Sequence, residues 1–70
     1  MLVVGTKLHN RKDGRTITIT EIDEFDKYLP YEVEYVKEYD INGEPVFVKE
    51  WFPEFVINWW FGNPNVEKMK

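Results

Sequence analysis

All three tryptophans of the chain fall within ten residues, in the run Trp51-Phe52-Pro53-Glu54-Phe55-Val56-Ile57-Asn58-Trp59-Trp60-Phe61. Such a segment is too apolar to stay a solvated tail and too short to cross a bilayer, which takes about 20 apolar residues. It must close the core of a small domain or form a contact surface. The rest of the chain sharpens that choice. It is 70 residues long, with no cysteine and a single histidine, so neither disulfides nor a structural zinc can stand in for a large core. Chains of this length lie near the lower limit for a self-sufficient core. Two supports remain: dense aromatic packing, for which the 17% aromatic content provides, and self-association.

Charge narrows the partner classes. The net charge of −4 is unevenly placed. Lys7, Arg11, Lys12 and Arg15 face only Asp13 in the first twenty residues, whereas residues 21–54 carry eleven acids against Lys27, Lys37 and Lys49. A phosphate backbone demands neutralising cations, so nucleic-acid binding is disfavoured and a protein partner or a homodimer is expected. Met1-Leu2-Val3-Val4-Gly5 has neither the charged start nor the long apolar stretch of a signal peptide. The expectation is a cytoplasmic protein with no membrane association and no cofactor.

Periodicity and turn chemistry predict the elements. Val3 to His9 reads as a first strand with Val4, Thr6 and Leu8 on one face, and Asn10 to Gly14 as a turn closed by Asp-Gly. Arg15 to Ile22 alternates Thr with Ile and is the clearest strand; Ile22 breaks the alternation, which predicts a bulge near Thr20-Glu21. After a polar loop, Tyr31 to Tyr39 places Tyr31, Val33 and Tyr35 on one face and Glu32, Glu34 and Glu38 on the other. This third strand is also a candidate edge for β-augmentation. Asn42-Gly43 marks a second hairpin into Pro45–Glu50, with Val46 and Val48 inward.

The period then becomes helical. Phe52, Phe55, Val56, Trp59 and Trp60 recur at spacings of three and four. Pro53 suits the first helical position, Glu54 the positive end of the dipole, and Gly62-Asn63-Pro64 the stop. The expected fold is mainly β: a small curved antiparallel sheet of four to five strands, an SH3-like barrel, with a short C-terminal helix. One domain over 1–62 contains that helix at about 53–61, and 63–70 is a flexible tail. The runner-up is an open four-stranded sheet with the helix lying across it.

The stretch Val4-Gly5-Thr6-Lys7-Leu8, the turn Asn10 to Gly14 and the strand Thr16-Ile17-Thr18-Ile19 resemble the opening of short SH3-like proteins of bacteriophages and mobile elements. The Asn42-Gly43 hairpin and the terminal aromatic helix extend the likeness over most of the chain. The resemblance implies an SH3-like fold and a phage or mobile-element origin. It implies no activity and transfers no site residues.

Catalytic chemistry finds little support. His9 is the only histidine, and serine and cysteine are absent, so the commonest nucleophiles are missing. Glu21, Asp23, Glu24 and Asp26 lack the spacing of a calcium loop and read as a solvated acidic segment. The Arg11-Lys12-Asp13-Gly14-Arg15 tip reads as solubilising. The chain is therefore expected to be a non-enzymatic protein-interaction module. Phe52, Phe55, Val56 and Trp59 would face the core, and Ile57, Trp60 and Phe61 would remain exposed as the contact patch. The alternative is an acidic decoy of a nucleic-acid-binding protein, presenting Glu32, Glu34 and Glu38 as a phosphate-like row.

Overall fold

Turn residues set the strand boundaries, and the computed structural model describes residues 3–69; Met1, Leu2, Lys70 and the side chain of Phe61 lie outside the described residues. The strands β1 (Lys7–Asn10) and β2 (Thr16–Ile22) flank the first turn, and β3 (Tyr31–Tyr39) and β4 (Pro45–Phe52) flank the second. Both turns end at a glycine with positive φ, Gly14 at 77° and Gly43 at 81°, a conformation that a Cβ disfavours. Each is also fastened by an Asx side chain. Asn10 Oδ1 accepts from the Lys12 N–H at 2.9 Å, and Asp40 Oδ1 accepts from the Asn42 and Glu44 N–H groups at 2.8 and 2.9 Å.

After β4 come the helix α1 (Glu54–Gly62) and a fifth strand, β5 (Val66–Met69). All five strands join one antiparallel sheet in the order β4-β3-β2-β1-β5. The sheet is not closed: β4 and β5 are its edges. β3 lies between β2 and β4, so it offers no free edge, contrary to the sequence expectation. The expected tail over 63–70 is likewise corrected, because Val66 to Met69 pair with Asn10 to Lys7. The stop residues redirect the chain instead of ending it. Asn63 Oδ1 accepts from the Asn65 N–H at 2.9 Å, and the Asn63 carbonyl accepts from Val66 at 3.0 Å. Arg11 then ties the turn to the β1–β2 loop, donating from its guanidinium to the Pro64 carbonyl and from its backbone to Asn65.

The first strand starts later than its pattern suggests. Val3 and Thr6 bond to each other across a turn at Val4-Gly5, which leaves Val4 exposed while Thr6 and Leu8 are buried. In β2 the pattern holds. Ile17 and Ile19 are buried, and the register shifts between Ile19 and Glu21. The bulge returns Ile22 to the core face opposite Tyr31, and Thr20 turns its hydroxyl onto Glu32 Oε1 at 2.8 Å. A second bulge interrupts β3 between Val36 and Glu38. From Lys37 to Phe47 every residue is exposed. Val48 is half-buried, but Val46 is exposed, because it lies beyond that second bulge.

The core is Leu8, Ile17, Ile19 and Val33 from the sheet, covered by Ile57 and Trp60 from α1. This shifts the expected helix phase: Phe52 and Val56 do pack against the core, but Phe55 and Trp59 do not. Ile57 is 0% and Trp60 7% exposed, whereas Phe55 is 73% and Trp59 58% exposed. Ile57 and Trp60 are therefore core residues and not a free patch, and Phe61 cannot be placed in either role. The physical reason is that Asn58 is the only uncharged polar residue in α1. Stripes through 55 and 59 and through 57 and 60 satisfy the same spacing, so periodicity leaves the phase undetermined. Pro53 is the N-cap, with φ −70° and ψ 157°, and its carbonyl accepts from the Val56 N–H.

A domain of this size is stabilised by roughly 4–10 kcal/mol in total. Ile57→Ala is expected to cost about 2–5 and Trp60→Ala about 3–5 kcal/mol. Phe55→Ala is expected to stay within about 0.5 kcal/mol. Urea unfolding followed by circular dichroism checks all three, and equal losses at Phe55 and Ile57 would refute this helix phase.

Candidate functional site

The helix phase opens a groove between α1 and the core face of the sheet. Its volume is ≈ 900 Å³, within the range of ligand clefts. Phe55, Val56, Trp59 and Trp60 form the helix wall, and Tyr35, Val36, Tyr39 and Phe52 come from β3 and β4. Ile17, Val33 and Ile57 of the core and the Asp13-Gly14-Arg15 segment of the first turn also line the groove. Six aromatic residues thus line one concavity. Tyr35 and Phe52 meet at a tilt with ring centroids 6.4 Å apart, and Trp59 meets Trp60 edge-on at the same separation.

Two polar stations interrupt this apolar lining. At the turn, Asp13 holds Arg15 through both side-chain and backbone bonds. Oδ1 accepts from the Arg15 backbone N–H at 2.9 Å, and Oδ2 accepts from Nε and from the terminal guanidinium nitrogen, each at 2.8 Å. The Arg15 side chain bonds, then its backbone N–H, keep the Asp13 carboxyl below its usual range. So fixed, the Arg15 guanidinium carbon lies 5.5 Å from the Trp60 ring centroid, within cation–π range. The hairpin tip is therefore more than solubilising, since Arg15 engages Trp60 and Arg11 engages Pro64.

The second station is on the sheet. Tyr35 and Glu50 project from neighbouring strands on one face, and the Tyr35 hydroxyl donates to Glu50 Oε1 at 2.6 Å. That bond, then desolvation and the nearby negative charge, raise the Tyr35 phenol above its ordinary 10.0. Among the described residues the only ion pair is Arg15–Asp13, so Glu50 meets no cation there. A raised phenol pKa means that this bond contributes stability in full below the unfolded value of 10.0 and loses it as pH rises through the higher folded value.

The remaining sequence candidates lie elsewhere. His9 is on the opposite face of the sheet, with Nδ1 2.8 Å from Thr16 Oγ1 and Glu67 across from it in β5. It does not line the groove. The carboxylates of the β2–β3 loop serve the loop itself. Asp23 accepts from the Phe25 N–H, and Asp26 accepts from Tyr28 and Leu29, which lowers the Asp26 pKa. No group of three His, Asp or Glu residues that could hold a metal ion occurs among the described residues.

The acidic row is broken. Glu32 and Glu34 share the outer face, where Glu34 stands between Thr18 and Lys49. Past the second bulge Glu38 pairs with Val46, so the alternation that carries Glu32 and Glu34 is interrupted before it. No helix among the described residues is long and apolar enough to cross a membrane. Comparison with known proteins finds no matching family model, no matching curated protein and no matching solved structure.

Sequence reasoning missed Tyr35, Glu50, Phe55 and Trp59 as a set. The available signal was the cross-strand register, which brings Glu50 opposite Val33 and diagonal to Tyr35. The Tyr35 phenol is expected to ionise above its ordinary 10.0 in an absorbance titration at alkaline pH. Glu50→Gln should move its midpoint back toward 10.0; an unshifted midpoint would refute the Tyr35–Glu50 bond.

Proposed function

We propose that the protein is a small non-enzymatic module that binds another protein in the groove between α1 and the sheet. The observation that carries this reading is the exposure of Phe55 and Trp59 on a helix whose opposite side is buried. Exposed aromatics grouped beside a concavity are typical of contact surfaces, and tryptophan is enriched at binding hot spots. The contact residues are therefore Phe55 and Trp59, with Tyr39 and Tyr35 across the groove, in place of Ile57 and Trp60. An SH3-like reading of the fold belongs with this proposal. It is supported by β2, which is bent at its bulge and shared between the first hairpin and the long β3–β4 pair, with the helix set against the core face. A phage or mobile-element origin is carried only by the resemblance of the opening residues.

Selection of displayed random peptides on the immobilised protein tests the reading. Enriched peptides are expected to bind Phe55→Ala and Trp59→Ala about tenfold more weakly each, with both variants folded by circular dichroism. Enrichment that is indifferent to both residues would overturn the groove as the binding surface. Solution mass over a concentration series separates the remaining occupant. A dimer broken by Trp59→Ala would assign the same aromatics to self-association.

A further inference from the structure

Resting on the binding-module reading, we infer that the groove recognises a lysine or arginine side chain carried on an apolar segment of the partner protein. One cation is already held in the groove lining. There a guanidinium lies 5.5 Å from the Trp60 ring while the Asp13 carboxylate binds it at 2.8 Å. An aromatic face and a carboxylate together hold a cation whose stem lies along apolar surface, because the ring quadrupole and the anion act in the same direction.

The groove lining holds the same two components a second time. Glu50 and its partner Tyr35 line it together with Phe52 and the exposed Phe55 and Trp59. Its position is fixed by the 2.6 Å bond from Tyr35, which occupies one acceptor site of Oε1 and leaves Oε2 open to a further donor. No cation among the described residues neutralises it.

Charge decides between ligand classes. An acidic segment would meet the exposed Glu50 carboxylate and be repelled by it. A purely apolar segment would bury that carboxylate without compensation, which is costly. A basic side chain satisfies both components: its methylenes lie on Phe52 and Trp59 and its head pairs with Glu50. The excess of acids over bases in residues 21–54 adds attraction at longer range.

Three peptides of equal length and identical apolar flanks, with arginine, norleucine or glutamate at the centre, provide the test, read by amide and indole NMR shifts of the full chain. The arginine peptide is expected to bind about tenfold more tightly than the norleucine peptide, with the glutamate peptide weakest. The arginine preference is expected to fall as ionic strength rises. Glu50→Gln keeps an oxygen acceptor for Tyr35 and removes only the charge, and it is expected to abolish the preference. Equal binding of the arginine and norleucine peptides, or a preference that survives Glu50→Gln, overturns the inference. If both peptides still bind and both are weakened by Trp59→Ala, the binding-module reading stands without it. If none of the three moves a groove resonance at about millimolar concentration, the inference fails, and the displayed-peptide selection decides the module by itself.

Discussion

The seating of Ile57 and Trp60 on Leu8, Ile17, Ile19 and Val33 is the contact on which the rest of the molecule depends. Only six hydrophobic residues are buried among those described, so a third of that core comes from one short helix. A helix of nine residues does not persist alone in water. It exists because the sheet takes its apolar stripe, and the sheet keeps its apolar face dry because the helix covers it. The same contact directs the chain after Gly62 back toward β1, where Val66 to Met69 complete the sheet. Arg11 then bonds the turn between helix and fifth strand through Pro64 and Asn65.

The two bulges divide the sheet into parts with different tasks. The one at Thr20 keeps Ile22 on the core side despite a broken alternation, so β2 contributes apolar residues along its whole length. The one at Lys37 ends the packed part of β3. Beyond it the hairpin carries Tyr39, Ile41 and Phe47 into solvent, and Ile41 is 100% exposed. Tyr39 still reaches the end of the groove, which is how a hairpin outside the core contributes to the candidate site.

Much of the sheet was legible because its signals are local. Asp13-Gly14 and Asn42-Gly43 fix two turns, Thr-Ile alternation fixes β2, and the misplaced Ile22 announces a bulge. Three features were not legible, each for a physical reason. The helix phase cannot be read from a segment that is apolar on nearly every side. β5 has a single apolar residue, Val66, packed on the core, and depends on an edge that β1 supplies from the far end of the chain. Glu38 leaves the acidic row because the bulge at Lys37 interrupts the alternation just before it, and Val36-Lys37 carries no glycine or proline to signal it. The groove inherits these features, since its walls are defined by helix phase and strand register.

The exposed aromatics of α1 are not requirements of the fold. A glutamate, lysine or alanine at positions 55 and 59 would have higher helix propensity than phenylalanine or tryptophan and would leave Ile57 and Trp60 seated as they are. Scattered exposed apolar residues are ordinary on any protein surface. Phe55 and Trp59 are one turn apart, however, and both border the concavity that Tyr35, Phe52 and Glu50 line from the sheet. Trp60 contributes to both settings: one part of its ring closes the core and another receives Arg15. The groove is thus built from the outer margin of the same helix–sheet contact that stabilises the fold. Positions along it separate by depth: Ile57 and Trp60 are buried in the core, whereas Phe55, Trp59 and Glu50 are exposed.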